Sequence, residues 1–99
     1  MKKLIVSGPA ISDLEGIAAY TEKKWGQPQK AEYLERLQSC FASIQANPER
    51  GAIRDNIIEG YRSVSEGRHV IFYRETDAAI EIVRVLHQRM DLAKKLPGG

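Results

Sequence analysis

Three runs rich in β-branched and aromatic residues follow one another between Gly60 and Arg89: Tyr61–Ser65, Arg68–Arg74 and Ile80–His87. Glu66-Gly67 separates the first two, and Glu75-Thr76-Asp77 leads out of the second. Runs of this composition with such short polar breaks predict an antiparallel meander of three strands. Each run carries arginine: Arg62, then Arg68 and Arg74, then Arg84, with Arg89 just past the last. Whatever lies upstream has to cover or frame this sheet.

The upstream half reads as one strand and a helix hairpin. Lys3–Ser7 is a short apolar run closed by Gly8-Pro9, which predicts a strand that joins the meander and then a turn. A helix opens either at Pro9, which suits a first turn, or at the capping-box spacing Ser12-Asp13-Leu14-Glu15. Ile11, Leu14, Ile17, Ala18, Thr21 and Trp25 recur at three- and four-residue steps and form its apolar stripe. Tyr20 and Trp25 read as aromatic anchors. Gly16 is out of place in a helix interior, and Gly26 is a natural stop. A second helix follows Gln27-Pro28, with Tyr33, Leu34, Leu37, Phe41 and Ile44 as its stripe, and ends at Asn47-Pro48. A link of two or three residues makes the two helices antiparallel, and their shared stripe must lie on the sheet. Pro48–Glu59 has no sustained period and reads as an extended loop, long enough for a functional part.

A chain of 99 residues makes one domain, here residues 1–99, with a single modest core. The class is α+β: an antiparallel sheet of the N-terminal strand and the three-strand meander, packed against an N-terminal helix hairpin, in the order β-α-α-β-β-β. No apolar run nears the length that spans a bilayer, and Met1–Val6 is too short an apolar start for a signal peptide, so the expected location is cytoplasmic. The single cysteine, Cys40, excludes an internal disulfide and reads as a small buried helical residue.

Alternation within the meander is imperfect. Val70 and Phe72 share one side of their strand, with Ile71 and Tyr73 on the other. On the last strand Ile80, Ile82 and Leu86 oppose Val83 and Val85. Apolar residues on both faces demand two covers. The hairpin supplies one; the tail from Met90, a second chain or a partner is expected to supply the other.

The net charge of +2 is unremarkable, but the kind of cation changes along the chain. Residues 1–50 carry five lysines and two arginines, residues 51–99 six arginines and two lysines. Arginine presents a planar fork to carboxylates and phosphates, so the sheet half is the expected recognition surface. No phosphate loop, zinc motif or nucleophile elbow occurs, so neither metal nor cofactor is expected. The one constellation with chemistry is His87 with Arg62, Arg68, Arg84 and Arg89, plus Tyr61 or Tyr73. Such a set suits RNA cleavage, which needs a proton carrier near neutral pH and cations for the scissile phosphate. That chemistry also needs a second acid or base, and His69, early in its strand, reads as too far from His87 to pair with it. A protein-binding patch is the favoured reading.

Phrases along nearly the whole chain resemble the ParE branch of the RelE/ParE toxin superfamily. They are Ser12-Asp13-Leu14-Glu15 with Ile17 and Tyr20, Trp25-Gly26, Tyr33-Leu34 with Leu37, Asn47-Pro48 and Gly51. Gly60-Tyr61-Arg62-Ser63, Gly67-Arg68-His69-Val70-Ile71-Phe72-Tyr73-Arg74 and the segment from Ile80 to Asp91 complete the match, with His87-Gln88-Arg89-Met90-Asp91 its most ParE-like part. The resemblance implies a non-enzymatic toxin of a type II toxin–antitoxin pair that inhibits DNA gyrase. A ParD-like antitoxin would neutralise it by wrapping it with its C-terminal segment, and operator DNA would be contacted only through that antitoxin. RelE-like relatives instead cut messenger RNA on the ribosome with basic residues and a tyrosine or histidine on the same sheet. The lysine-rich cluster expected of them is missing here. A non-toxic member kept as a binding partner is the third possibility. From the arginine bias, the positions offered for target binding are Arg62, Arg68, Arg84, His87 and Arg89 with the tail. Those offered for the antitoxin are Leu14, Ile17, Tyr20, Tyr33 and Leu37.

Overall fold

The computed structural model describes residues 1–90, so the tail segment 91–99 lies outside the described residues. The chain runs β1 (Lys3–Val6), α1 (Gly8–Trp25), α2 (Gln27–Ala46), a 3₁₀ turn (Pro48–Arg50), β2 (Ala52–Ile53), β3 (Tyr61–Glu66), β4 (His69–Glu75) and β5 (Ala79–His87). The strands form one sheet in the order β1-β5-β4-β3-β2. The expected α+β architecture holds, with β3-β4-β5 as an antiparallel meander. Two details differ. β1 does join the sheet, but it runs parallel to β5, Leu4 opposite Ile80 and Val6 opposite Ile82. The loop after α2 also contributes a two-residue strand, β2, antiparallel to β3 at the far edge.

Ser7 explains where α1 starts and how it sits. Its backbone is extended, its hydroxyl accepts the Ala10 N–H at 3.1 Å, and the same hydroxyl donates to the Val83 carbonyl at 2.8 Å. Capping at Ser7 rather than Ser12 puts Pro9 in the first turn, where a missing N–H costs no hydrogen bond. The bond to Val83 also fixes the helix against β5. From that start Ala10, Ile17 and Thr21 turn inward and are buried. Gly26, at φ +92°, is the whole connection to α2, shorter than the two or three residues expected. Its N–H closes α1 on the Glu22 carbonyl at 2.9 Å. Leu37, Cys40, Phe41 and Ile44 of α2 are buried, Cys40 among them as expected.

The helix-side core joins Leu37, Phe41 and Ile44 to Val64, Ile71, Tyr73, Ile80, Ile82 and Val85. The opposite face holds Tyr61, Val70, Phe72, Val83 and Leu86. Its cover differs from the expected one: Ile57 and Ile58, from the loop that precedes β3, fold back onto it. Phe72 and Leu86 are fully enclosed with no second chain present.

The strand faces of β5 also need correcting. Its pairing with β4 shifts by one residue between Tyr73, opposite Ile82, and Phe72, opposite Arg84. A bulge of this kind inserts an unpaired residue and changes the phase of every side chain after it. Val85 therefore joins Ile80 and Ile82 on the helix side, and Leu86 joins Val83 on the other.

Candidate partner-binding groove

Between the helix hairpin and the end of the sheet lies a groove of about 740 Å³. Its floor is a histidine pair that the bulge creates. Glu75 pairs with Ile80 and Arg74 with Glu81; continued without a shift, that register would set His69 opposite Leu86. The extra residue sets it opposite His87 instead, and the two rings meet edge to face with centroids 5.5 Å apart. The expectation that the two histidines lie too far apart is thus overturned, for a reason that simple counting along a hairpin misses.

Each imidazole is held by its Nδ1. The Tyr33 hydroxyl of α2 lies 2.6 Å from His69 Nδ1 and 3.0 Å from the Glu66 carbonyl. A hydroxyl has one proton and a carbonyl only accepts, so Tyr33 donates to Glu66 and accepts from His69 Nδ1–H. Neutral His69 then has its lone pair on Nε2. His87 Nδ1 accepts the Arg89 backbone N–H at 3.1 Å, so its own proton sits on Nε2. Burial, and secondarily the neighbouring His87, hold His69 below the usual histidine range. Burial raises the Tyr33 hydroxyl, with the Arg68 backbone opposing. The turn beneath is tight: a Cβ on Gly67, at φ +56°, would stand 2.8 Å from the Tyr33 ring.

The walls combine aromatic surface and cations. Tyr20 and Trp25, read from the sequence as core anchors, are each 62% exposed. The Ser7 cap turns Ala10, Ile17 and Thr21 to the sheet, which leaves both aromatics at the groove. The Lys24 ammonium lies 5.6 Å from each ring and 3.2 Å from the Tyr20 hydroxyl. Exposed aromatics on a small chain are a recurrent mark of contact surfaces. Among the described residues, Lys24, Arg36 and Arg68 line the groove against one carboxylate, Asp13. Asp13 is already engaged: it takes Arg84 through two bonds of 2.7 and 2.8 Å and the Val85 N–H at 2.9 Å. β1 ends at Val6, so Asp13 caps the stretch of β5 edge that β1 leaves open. The same bonds raise Arg84 further above its usual value.

The five positions offered for target binding are therefore dispersed. Arg68 and His87 line the groove, and Arg89 adjoins it through its backbone. Arg84 ties α1 to β5, and Arg62 reaches away to the carbonyls of Glu49 and Gly51, steadying the 3₁₀ turn. Of the antitoxin positions, Tyr20, Tyr33 and Ile17 line the groove, and Leu14 packs partly buried on the core. Leu37 is wholly enclosed, because its side of α2 lies on the sheet, and it is a core residue rather than a contact. Trp25, Lys24 and His69, absent from those sets, belong to the groove. Among the described residues no cluster suits a metal ion, and no helix is long and apolar enough to cross a membrane.

Residues 4–92 match the family described as the ParE toxin of the type II toxin–antitoxin system parDE. Toxin ParE1 of Mycobacterium tuberculosis (strain H37Rv) is 42% identical over 95 residues, covering 95% of this chain and 97% of that protein. Toxin ParE1 of Caulobacter vibrioides is 41% identical over 91 residues, 92% of this chain and 94% of that one. Toxin ParE of Escherichia coli is 31% identical over 100 residues, 97% and 94%. A solved structure, "Chromosomal ParDE TA system from P. aeruginosa", shares the fold at TM-score 0.77 with 19% identity, covering 88% of this chain and 96% of that chain. The chain belongs to the ParE family of toxins of type II toxin–antitoxin systems.

Proposed function

We propose that this ParE-type toxin blocks DNA gyrase in the cytoplasm without chemistry of its own, and that a ParD-like antitoxin neutralises it by filling the groove. The observation that carries the second half is the exposed Tyr20–Lys24–Trp25 ridge beside a built floor of Tyr33, His69 and His87. An antitoxin segment laid there covers aromatic surface that the fold itself leaves open. What supports gyrase as the target is family membership, together with the arginine bias of the sheet half, Arg68 among it.

The test is a supercoiling assay with purified gyrase. Loss of supercoiling on adding the protein, restored by a ParD-like antitoxin, is the expected result. Gyrase that is untouched at excess toxin overturns the target, and rescue that survives Trp25→Ala with Tyr20→Ala overturns the groove.

One observation favours a second reading, message cleavage on the ribosome. His69 supplies next to His87 the second proton carrier that such chemistry requires. Ribosome-dependent cleavage that is abolished by His87→Ala is the result that would put this reading first.

A further inference from the structure

Among the described residues, the groove carries an imbalance of charge. Around the His69–His87 pair stand Lys24 from α1, Arg36 from α2 and Arg68 from the β3–β4 turn. Arg36 has a partner on its own helix, Glu32 at 2.8 Å. Asp13, the one lining carboxylate among the described residues, is committed to Arg84 and the β5 edge. Glu66 offers the site only its carbonyl, because its carboxylate accepts from the Cys40 thiol at 3.3 Å. Among the described residues, no carboxylate pairs with Arg68 or with either imidazole.

The two imidazoles differ in what protonation would cost. His87 has its acceptor nitrogen occupied by the Arg89 N–H, and a proton there displaces that bond. His69 already donates from Nδ1 to Tyr33, so a proton on Nε2 leaves its anchoring intact. What opposes that proton is the environment, namely burial and a neighbouring imidazole, with Asp13 as the weaker counterweight. An acidic group entering the groove reverses the balance, since an opposite charge within ~4–6 Å favours the charged form of a histidine.

On the reading that an antitoxin fills this groove, we propose that the bound segment sets an Asp or Glu carboxylate against the His69–His87 pair, so that the complex forms with uptake of protons. The partner is accordingly an acidic, aromatic-seeking peptide: an apolar side chain rests on Tyr20 and Trp25, and the carboxylate lies over the histidines and Arg68. Histidines whose affinity for protons rises on binding make the complex tighter as pH falls. The limit is about tenfold per pH unit for each proton taken up.

Isothermal titration of the intact toxin with the ParD-like antitoxin that restores gyrase activity tests this directly. Affinity is expected to rise about tenfold or more between about pH 7.5 and about pH 5.5. Repeating the titration near pH 6.5 in buffers of different ionisation heat should show net proton uptake. His69→Gln with His87→Gln should flatten the pH dependence and remove the uptake, with circular dichroism confirming the fold. If the double variant is unstable, His69→Gln alone should reduce both the pH response and the uptake. Affinity that is flat or falls with acid, or a pH response that survives the double variant, overturns the proposal while leaving the antitoxin reading intact. Failure to bind at any pH overturns both. Toxin self-association in place of complex formation, seen by sedimentation, assigns the groove to a second copy and also overturns it.

Discussion

The Asp13 carboxylate receives both arms of Arg84 and the Val85 N–H, and its side chain is only 13% exposed against 22% for Arg84. Asp13→Ala removes both of these bonds from a partly buried guanidinium and takes the acceptor from an edge amide. Losses of that kind cost roughly 2–3 kcal/mol, less than for a fully buried pair because water reaches both groups. Chemical denaturation should show that loss, and a cost below about 0.5 kcal/mol would mean that solvent replaces the carboxylate. His69 makes a different residue-scale prediction. Its proton affinity in the folded chain lies below the ordinary value, so the unfolded chain takes up the proton first. Stability is therefore whole above the ordinary histidine range near about 6.5 and is lost as pH falls through it toward the folded value. Urea midpoints followed from about pH 7 to about pH 5 should fall for the unliganded protein and fall less for His69→Gln.

At the scale of elements, two glycines on the hairpin predict opposite outcomes. Gly26→Ala meets no steric obstacle nearer than Pro28 at 3.9 Å, yet its φ of +92° and ψ of 170° suit glycine alone. The expected loss is about 1–3 kcal/mol, all of it backbone strain. Gly16 sits in regular helix, and a Cβ there meets nothing within 4 Å. Gly16→Ala should raise stability by about 0.5–1 kcal/mol. Because Gly16 also lines the groove, the added methyl should weaken antitoxin binding if the antitoxin fills it as proposed, and melts and titrations should then move in opposite directions. The elements themselves were legible because glycine, proline and periodicity punctuate them: Gly26 and Asn47-Pro48 end the helices, and Glu66-Gly67 turns β3 into β4. What escaped was set by tertiary contacts that no local pattern records. The bulge in β5 moves Leu86 and His87 by one position, which hid both the true strand faces and the histidine pair. Tyr20 and Trp25 look like core by residue type, but α1 packs through Ala10, Ile17 and Thr21 and leaves them exposed. Arg84 and Arg62 are arginines on the sheet half, as a recognition surface would have them, but one serves Asp13 and the other two loop carbonyls.

Over the whole molecule the sheet joins the beginning of the chain to its far end. β1 lies at one edge against β5, and β2, with its exposed Ile53, lies at the other. Ile53→Thr should change stability by less than about 0.5 kcal/mol, as exposed substitutions usually do. Deleting residues 1–6 should instead abolish cooperative unfolding, because it strips β5 of its parallel neighbour. The same join orders events at birth. Lys3–Val6 is made well before the strand it pairs with, since residues 79–82 follow some 4–15 s later at ordinary rates of synthesis (about 5–20 residues per second). Until then the hairpin has no finished sheet to lie on. In genetic terms, a stop codon anywhere upstream of β5 leaves β1 unpaired and the histidine floor unmade. Escape from a poison of this shape is open to truncation along most of its reading frame, and survivors of its overexpression should carry such stops scattered through the gene rather than gathered at the groove.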